Sequence, residues 1–376
     1  MLVRFLSCRE RFRLKYVLGL EPHDKWYKTT GYGNMWHICE EAHAGQFGAP
    51  TQETGWRATS ESTAVYKPWA QRLKEHTEEQ FVKYPFQREE IEKWYRVCMV
   101  QFPEYIKYWS EHPDVKNRTP LMQEQVFNVP YKLPSGRVVR LRGKFDSVDL
   151  IDNGFFQTGE KPGIWLQENK SKGDIDKEDV ERQLKFDLQT MLYLVALKEP
   201  TPTSIHKDYS QPVLGVRYNV IRRPLSGGIG NISPHKGKCT KPVISKSKNT
   251  PGKVLKESMI VPAETADEFY ERLRRDYIAA DPDHWFFRVR SEVSAEDIKV
   301  FRETCLDPLL ETVCSWYECI VIPNSVGWRS SPMNYRTPFG VWSALEEGGS
   351  TEYDAFLATG SEAGLRRVET LFGELQ

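Results

Sequence analysis

The sequence predicts an α/β fold in which a central mixed sheet, in the order β-β-β-α-β, carries helical additions at both ends. Three observations lead there. The hydrophobic spacing changes from helical to alternating near residue 121. A strongly amphipathic stretch, Asp176 to Leu197, separates the third predicted strand from the fourth. On either side of this block the chain returns to helical spacing.

Taken in order, Phe5, Phe12, Tyr16 and Val17 recur at helical intervals, and Trp36, Ile38 and Cys39 belong to a second helix after a break at Gly31-Tyr-Gly33. Residues 45–65 read as a polar loop, and a longer helix runs from about Arg88 to Trp109. Gln123 to Val129 is the first strand, Leu133-Pro-Ser-Gly136 a turn, and Arg137 to Leu150 the returning strand. Gly143 within it suggests a bulge or a close backbone approach. After an Asp152-Asn-Gly154 turn, Ile164 to Lys170 is the third strand. Val180, Leu184, Leu188, Met191, Leu192 and Val195 give the following helix its apolar stripe, and Val213 to Ile221 is the fourth strand. Residues 222–256 have no periodicity, and from Ala263 onward Phe269, Leu273 and Tyr277 restore a helical stripe. The domain organisation expected is a helical N-terminal part (1–120), a core (121–222), a basic flexible insertion (223–262) and a helical C-terminal region packed on the core (263–376).

Composition narrows the function. With 39% apolar and 28% charged residues in 376, the chain is globular rather than disordered. Basic and acidic residues balance at 52 each, so any attraction for nucleic acid must come from local clustering. No apolar run nears the roughly 18 residues of a membrane helix, and the Arg-rich N-terminus has no signal-peptide core. Seven irregularly spaced cysteines read as reduced thiols, so a cytoplasmic protein without a membrane segment is expected. There is no G-x-x-x-x-G-K-[ST] loop, hence no nucleotide-driven motor in the sequence.

The residues that carry chemistry lie on the second and third strands. Side chains alternate along Trp165-Leu-Gln-Glu-Asn-Lys170, so Glu168 and Lys170 share a face and Asn169 points away. By themselves they would also suit a plain salt bridge. Asp146 on the neighbouring strand adds a second carboxylate, and two carboxylates brought together repel unless a cation joins them. Mg²⁺ favours such an oxygen-rich site, and phosphodiester hydrolysis needs such an ion. Lys170 would orient water or stabilise charge on the phosphorane. On the next helix Gln189 and Tyr193 stand four residues apart on one face, with Arg182 seven residues before Gln189 on about the same face. That row could grip phosphates and sugars, although Tyr193 would serve equally as a half-buried aromatic.

Gly143-x-x-Asp146, Glu168-x-Lys170 and Gln189-x-x-x-Tyr193, in this order, resemble the RecB-type branch of the PD-(D/E)XK nucleases, which includes the RecB and AddB nuclease domains and phage-encoded exonucleases. Gly33-x-x-x-His37 resembles the branch's helical G-x-x-x-H motif, and Cys8-x-x-x-Phe12 with Tyr16 its N-terminal opening. A weaker likeness continues through Tyr218-Asn-Val-Ile-Arg-Arg-Pro224 and Phe286-Phe-Arg288. The resemblance implies a restriction-endonuclease-like core, Mg²⁺ or Mn²⁺, and cleavage of DNA. It implies metal binding by Asp146, Glu168, the carbonyl of Asn169 and His37, and a catalytic Lys170. Glu124 on the first strand is a further acidic candidate, equally readable as a surface carboxylate on an edge strand.

Many members of that branch hold a four-cysteine iron–sulfur cluster. Cys8 stands where the first ligand belongs, but the C-terminal triplet is absent around Met333-Asn-Tyr-Arg336 and Phe339-Gly-Val-Trp342. Cys314 and Cys319 are five apart, roughly 140° around a helix, so an iron–sulfur cluster is not expected. The function expected is that of a metal-dependent DNA nuclease, an exonuclease in end processing, recombination, repair or phage replication, acting alone or with a helicase or recombinase partner. The alternative is a non-catalytic DNA-binding or scaffolding subunit of such a complex. Nine basic residues and no acidic one lie between Arg222 and Lys256. Lys236, Lys238 and Lys241 there belong either to a solvated insertion or to an arm that follows the DNA strand.

Overall fold

In the computed structural model the N-terminal helical spacing forms two short helices, α1 (Leu2–Ser7) and α2 (Arg9–Phe12), before a strand β1 (Leu20–Pro22). The residues described are 2–7, 9–17, 19–22, 25–45, 67–111, 118–151, 162–173, 177–185, 187–198, 212–225, 232–240, 243–244, 249, 254–256, 259–321 and 365–367. Three longer helices follow, α3 (Lys28–Gly45), α4 (Trp69–Lys83) and α5 (Arg88–Glu111). The alternating region becomes β2 (Arg118–Lys132), β3 (Val138–Ile151) and β4 (Gly163–Lys172). Helices α6 (Lys177–Leu184) and α7 (Leu188–Lys198) then lead to β5 (Val213–Arg222). Beyond it come four short strands, β6 (Lys238–Thr240), β7 (Val243–Ile244), β8 (Val254–Lys256) and β9 (Met259–Val261). The C-terminal part holds α8 (Ala266–Arg272), α9 (Pro282–Trp285), β10 (Phe286–Glu292), α10 (Ala295–Phe301), α11 (Asp307–Val321) and β11 (Leu365–Arg367).

These elements divide into two units. The smaller comprises Met1–Trp26, Pro130–Arg140 and Ala295–Gln376. In it Phe5 and Phe12 meet Trp316 of α11 edge-on, with centroids 5.3 and 5.6 Å apart. The Leu133–Gly136 turn between β2 and β3 closes with a bond from the Leu133 amide to the Arg137 carbonyl at 2.8 Å. Arg137 bonds Glu311 and Glu318 of α11, and the Tyr131 hydroxyl donates to Asp307 at 2.5 Å. Cys314, one of the cysteines weighed for a cluster, is a half-buried free thiol, and Cys305 is an exposed one. Cys8, residues 333–342 and the Cys319 side chain lie outside the described residues.

The larger unit, Tyr27–Val129 with Leu141–Ser294, contains the sheet. Its strand order is β10-β5-β4-β3-β2. β3 and β4 are antiparallel, β4 and β5 parallel, and β5 and β10 antiparallel, so the sheet is mixed, as expected of a restriction-endonuclease-like core. A parallel step needs a crossover long enough to return the chain, and α6 with α7 provides it. On one side, the α5 stripe of Ile91, Trp94, Cys98, Phe102, Tyr105 and Trp109 is buried at the spacing of one helical face. Tyr32, Met35, Trp36 and Cys39 do the same for α3. Trp36 lies 5.2 Å from Phe102 and 5.1 Å from Tyr105, which fixes the rotation of α3 against α5.

Four features differ from the sequence reading. The Gly31–Gly33 pair does not break a helix. The Gly31 amide already bonds the Tyr27 carbonyl at 2.7 Å, so both glycines lie in the first turns of α3. Asp176–Leu197 is not one helix, because the chain is interrupted between Leu184 and Leu188. Asp187 accepts from the Thr190 amide at 3.3 Å and so starts α7 afresh. The fifth strand, β10, comes from the region read as helical, and its Phe286, Phe287 and Val289 are buried in the sheet. Within the stretch expected as a basic flexible insertion, the described residues include two short antiparallel ribbons, β6–β9 and β7–β8, that its lack of periodicity did not show.

Close approach requires glycine at several positions, Gly143 and Gly215 among them. A Cβ on Gly143 would lie 2.6 Å from the Phe127 ring, which is where the sequence reading expected a tight backbone. A Cβ on Gly215 of β5 would lie 2.1 Å from the Ser291 carbonyl oxygen of β10. Gly215→Ala is therefore expected to push β10 off the sheet edge and to cost the upper end of the roughly 1–3 kcal/mol of overpacking. Denaturant unfolding checks this, and an unchanged midpoint would show that β10 accommodates the methyl group.

Candidate active site

β3 and β4 pair from Ser147↔Gln167 onward, which leaves Asp146 just beyond the last antiparallel pair. Its Oδ2 accepts the Asn169 amide at 2.8 Å, so Asp146 is held against the β4 backbone between Glu168 and Lys170. Lys170 Nζ donates to Glu168 Oε2 at 2.9 Å. As alternation requires, Asn169 turns its side chain to the other face, where Asn219 donates to its Oδ1 at 2.8 Å.

Helix α3 brings the imidazole. Tyr32, Trp36 and Glu40 face the interior; Trp36 Nε1 donates to Glu40 Oε1 at 3.3 Å, and Asn219 Nδ2 reaches the same oxygen at 3.3 Å. Anchored this way, the helix directs His37 Nδ1 to within 2.8 Å of Glu124 Oε1 and 3.7 Å of Asp146 Oδ1. Glu124 is not a surface carboxylate, although β2 is an edge strand. It is 1% exposed, and its Oε2 lies 2.5 Å from Lys144 Nζ. Its backbone sits at φ 51°, the left-handed region, which no other described non-glycine residue adopts. Such a conformation costs on the order of 1–3 kcal/mol and persists only where surrounding contacts enforce it.

Helix α7 supplies the third side. Its start is set by Asp187, and Tyr218 of β5 ties it down, donating to the Leu184 carbonyl at 2.8 Å and meeting Thr190 Oγ1 at 2.7 Å. Gln189 Oε1 lies 3.5 Å from Lys170 Nζ, and Gln189 Nε2 donates to the Tyr193 hydroxyl at 3.1 Å. The Tyr193 ring stands edge-on to Phe127 and Phe145, themselves stacked at 4.4 Å, over the bare backbone of Gly143. Arg182 does not share the Gln189 face, because the interruption before α7 resets the helical phase. It is exposed on α6 and pairs with Asp179. Lys236 and Lys238 are exposed, and Lys241 lies outside the described residues.

The donors present fit a hard divalent cation. Ligand atoms of His37, Glu124 and Asp146 all lie within 4.8 Å of one another. Glu168 is outside that set, but its Oε1 is buried without a hydrogen-bond partner, an acceptor left open next to Asp146. An open cavity of about 490 Å³ gives access, lined by His37, Glu41, His76, Glu124, Lys144 and Asp146 among others. Lys144 and His76 were not singled out by the sequence. Lys144 had a usable signal, since two residues before Asp146 on a strand is the same face; His76 had none.

Electrostatics express the same strain. Burial and then the Asp146 charge push Glu168 up to about 8, and burial raises Asp146 as well. Burial would lower His37, but Asp146 and the Glu124 hydrogen bond outweigh it and lift it to about 9. Both Glu168 and His37 thus hold protons more tightly folded than unfolded, so the metal-free fold loses stability as pH rises. The window runs from the ordinary 4.5 to about 8 for Glu168 and from 6.5 to about 9 for His37. A cation replaces those protons. The gain in Tm on adding Mn²⁺ is accordingly expected to grow between pH 5.5 and 9, and a pH-independent gain would contradict this arrangement.

A family model of the PD-(D/E)XK nuclease superfamily matches residues 1–302. The chain belongs to this superfamily. No curated protein matches the sequence. Membership carries nuclease chemistry, a divalent metal ion and DNA as substrate for a PD-(D/E)XK nuclease such as this one, and the matched span contains all of the cleft residues. Among the described residues no helix is long and apolar enough to cross a membrane.

Proposed function

We propose that this PD-(D/E)XK nuclease is a Mg²⁺- or Mn²⁺-dependent deoxyribonuclease that degrades DNA from its ends, in the manner of RecB-type exonucleases. The observation that carries the reading is the convergence of His37, Asp146, Glu168, Lys170, Gln189 and Tyr193 from four elements on one cleft. Asp146, Glu168, the Asn169 carbonyl and His37 would hold the metal, with Glu124 as a further donor. When bound, the ion activates water and neutralises charge on the phosphate oxygens.

The chain's own groups do the rest. Lys170, steadied between Glu168 and Gln189, donates to the attacking water or to the phosphorane oxygen, where its charge is most useful in the transition state. Gln189 and Tyr193 form a polar ledge that positions the strand. The exposed Lys236, Lys238 and Arg182 add phosphate contacts outside the cleft, and Lys241 adds a further positive charge to the same basic stretch as the two lysines. Having no nucleotide-driven motor motif, the chain would work on accessible ends or beside a helicase or recombinase.

The test is digestion of end-labelled linear and closed circular DNA, single- and double-stranded, with Mg²⁺, Mn²⁺ or a chelator. Shortening of linear DNA from its ends, intact circles and no product under chelation are expected. Cut circles would overturn the exonuclease reading, and products under chelation would overturn metal dependence.

A further inference from the structure

Glu124 and Lys144 form a pair whose charge balance depends on whether a cation occupies the cleft. Lys144 Nζ lies 2.5 Å from Glu124 Oε2, while Glu124 Oε1 lies 2.8 Å from His37. The two partners differ in environment, since the Glu124 side chain is 1% exposed and that of Lys144 45%. Lys144 precedes Asp146 by two residues on β3, which directs both to the same side of the strand. Both side chains line the open cavity. The carboxylate is thus fixed and buried, whereas the ammonium is on a long stem with access to water.

Glu41, which also lines the cavity, lies 3.8 Å from Arg72, so the carboxylates left to balance are Glu124, Asp146 and Glu168, against the ammonium groups of Lys144 and Lys170. A divalent cation together with Lys170 balances all three carboxylates, with His37 acting as a neutral ligand. Lys144 is then one positive charge in excess at the cavity mouth, and a phosphodiester carries one negative charge. We propose that Glu124 and Lys144 are an exchange pair: the divalent cation takes over the Glu124 carboxylate, and the released Lys144 ammonium binds a phosphate of the DNA strand. This rests on the metal centre proposed above and makes one DNA contact conditional on metal.

The experiment is fluorescence anisotropy of a labelled single-stranded oligonucleotide over a range of salt concentrations, with chelator or with Ca²⁺, and with oligonucleotide integrity checked on a gel. Wild type is compared with Lys144→Met, Glu124→Gln and the double variant, and Mn²⁺ binding to each is measured by calorimetry. Each phosphate contact contributes about 0.7 to the slope of log affinity against log salt for single strands. Lys144→Met should lose about one such contact in Ca²⁺ and none in chelator, while binding Mn²⁺ at least as tightly as wild type, since it no longer competes for Glu124. Glu124→Gln should weaken Mn²⁺ binding about ten-fold, yet strengthen metal-free DNA binding by one contact, a gain that the double variant abolishes. Loss of slope by Lys144→Met in both conditions, or in neither, overturns the exchange while leaving the metal centre standing. Failure of wild type to bind Mn²⁺ overturns both.

Discussion

Asp146→Asn is expected to abolish DNA cleavage, by roughly 10³-fold or more, the scale on which a residue acting as part of a catalytic unit is lost. The substitution is nearly isosteric. Its carbonyl oxygen can still accept the Asn169 amide that Asp146 accepts at 2.8 Å, so the β3–β4 junction keeps its geometry. What disappears is a buried negative charge that faces His37 at 3.7 Å and repels Glu168. In chelator at pH 8 the variant should therefore be more stable than wild type, by about 2–4 °C in Tm for each kcal/mol of relieved repulsion. Glu168→Ala should be as inactive, without the clean gain, because it strips Lys170 of its partner at 2.9 Å. Activity and thermal unfolding measured on one preparation separate loss of chemistry from loss of fold. An inactive variant that is also less stable in chelator would mean that Asp146 serves the fold.

Lys170→Ala should lower the single-turnover rate by about 10²–10³-fold while leaving DNA affinity within a few-fold of wild type. The reason is positional. The ammonium is already satisfied by Glu168 and Gln189 before substrate arrives, so it adds little to ground-state binding, and its value appears where charge develops. Removing it also removes a charge that holds Glu168 down, so the variant should need higher pH to bind metal. Rates should be compared at pH 8.5 or above, with Mn²⁺ saturation confirmed by calorimetry. A variant that lost DNA affinity but kept its saturated rate would make Lys170 a binding residue.

How much of the fold and the site was legible in sequence depends on how local each signal was. Glu168 and Lys170 could be placed on one face because alternation needs only a strand, and Gln189 and Tyr193 because four residues need only one turn. Both relations hold within single elements. Relations that cross an element boundary were not legible in the same way. The phase between Arg182 and Gln189 failed at Asp187, whose capping role was hidden within an unbroken apolar stripe. Glu124 looked like an edge-strand surface group. Its burial depends on α3 covering that edge with His37, a contact across 87 residues. The strand β10 was masked by its setting among helices, although Phe286, Phe287 and Val289 carry strand-like spacing. Gly31 and Gly33 were read as a break by their low helix propensity, which the packing of Tyr32 and Trp36 overrides.

The central claim is that the cleft of His37, Glu124, Asp146 and Glu168 is a metal-dependent DNA-cleaving centre. Release of label from the ends of linear DNA, followed as chelator-treated protein is titrated with Mn²⁺, tests it most directly when wild type and Asp146→Asn are run side by side. Wild type should rise from zero to a saturating rate with Mn²⁺, while Asp146→Asn stays at the baseline throughout. Equal rates for the two proteins, or full wild-type release before any Mn²⁺ is added, would contradict the account.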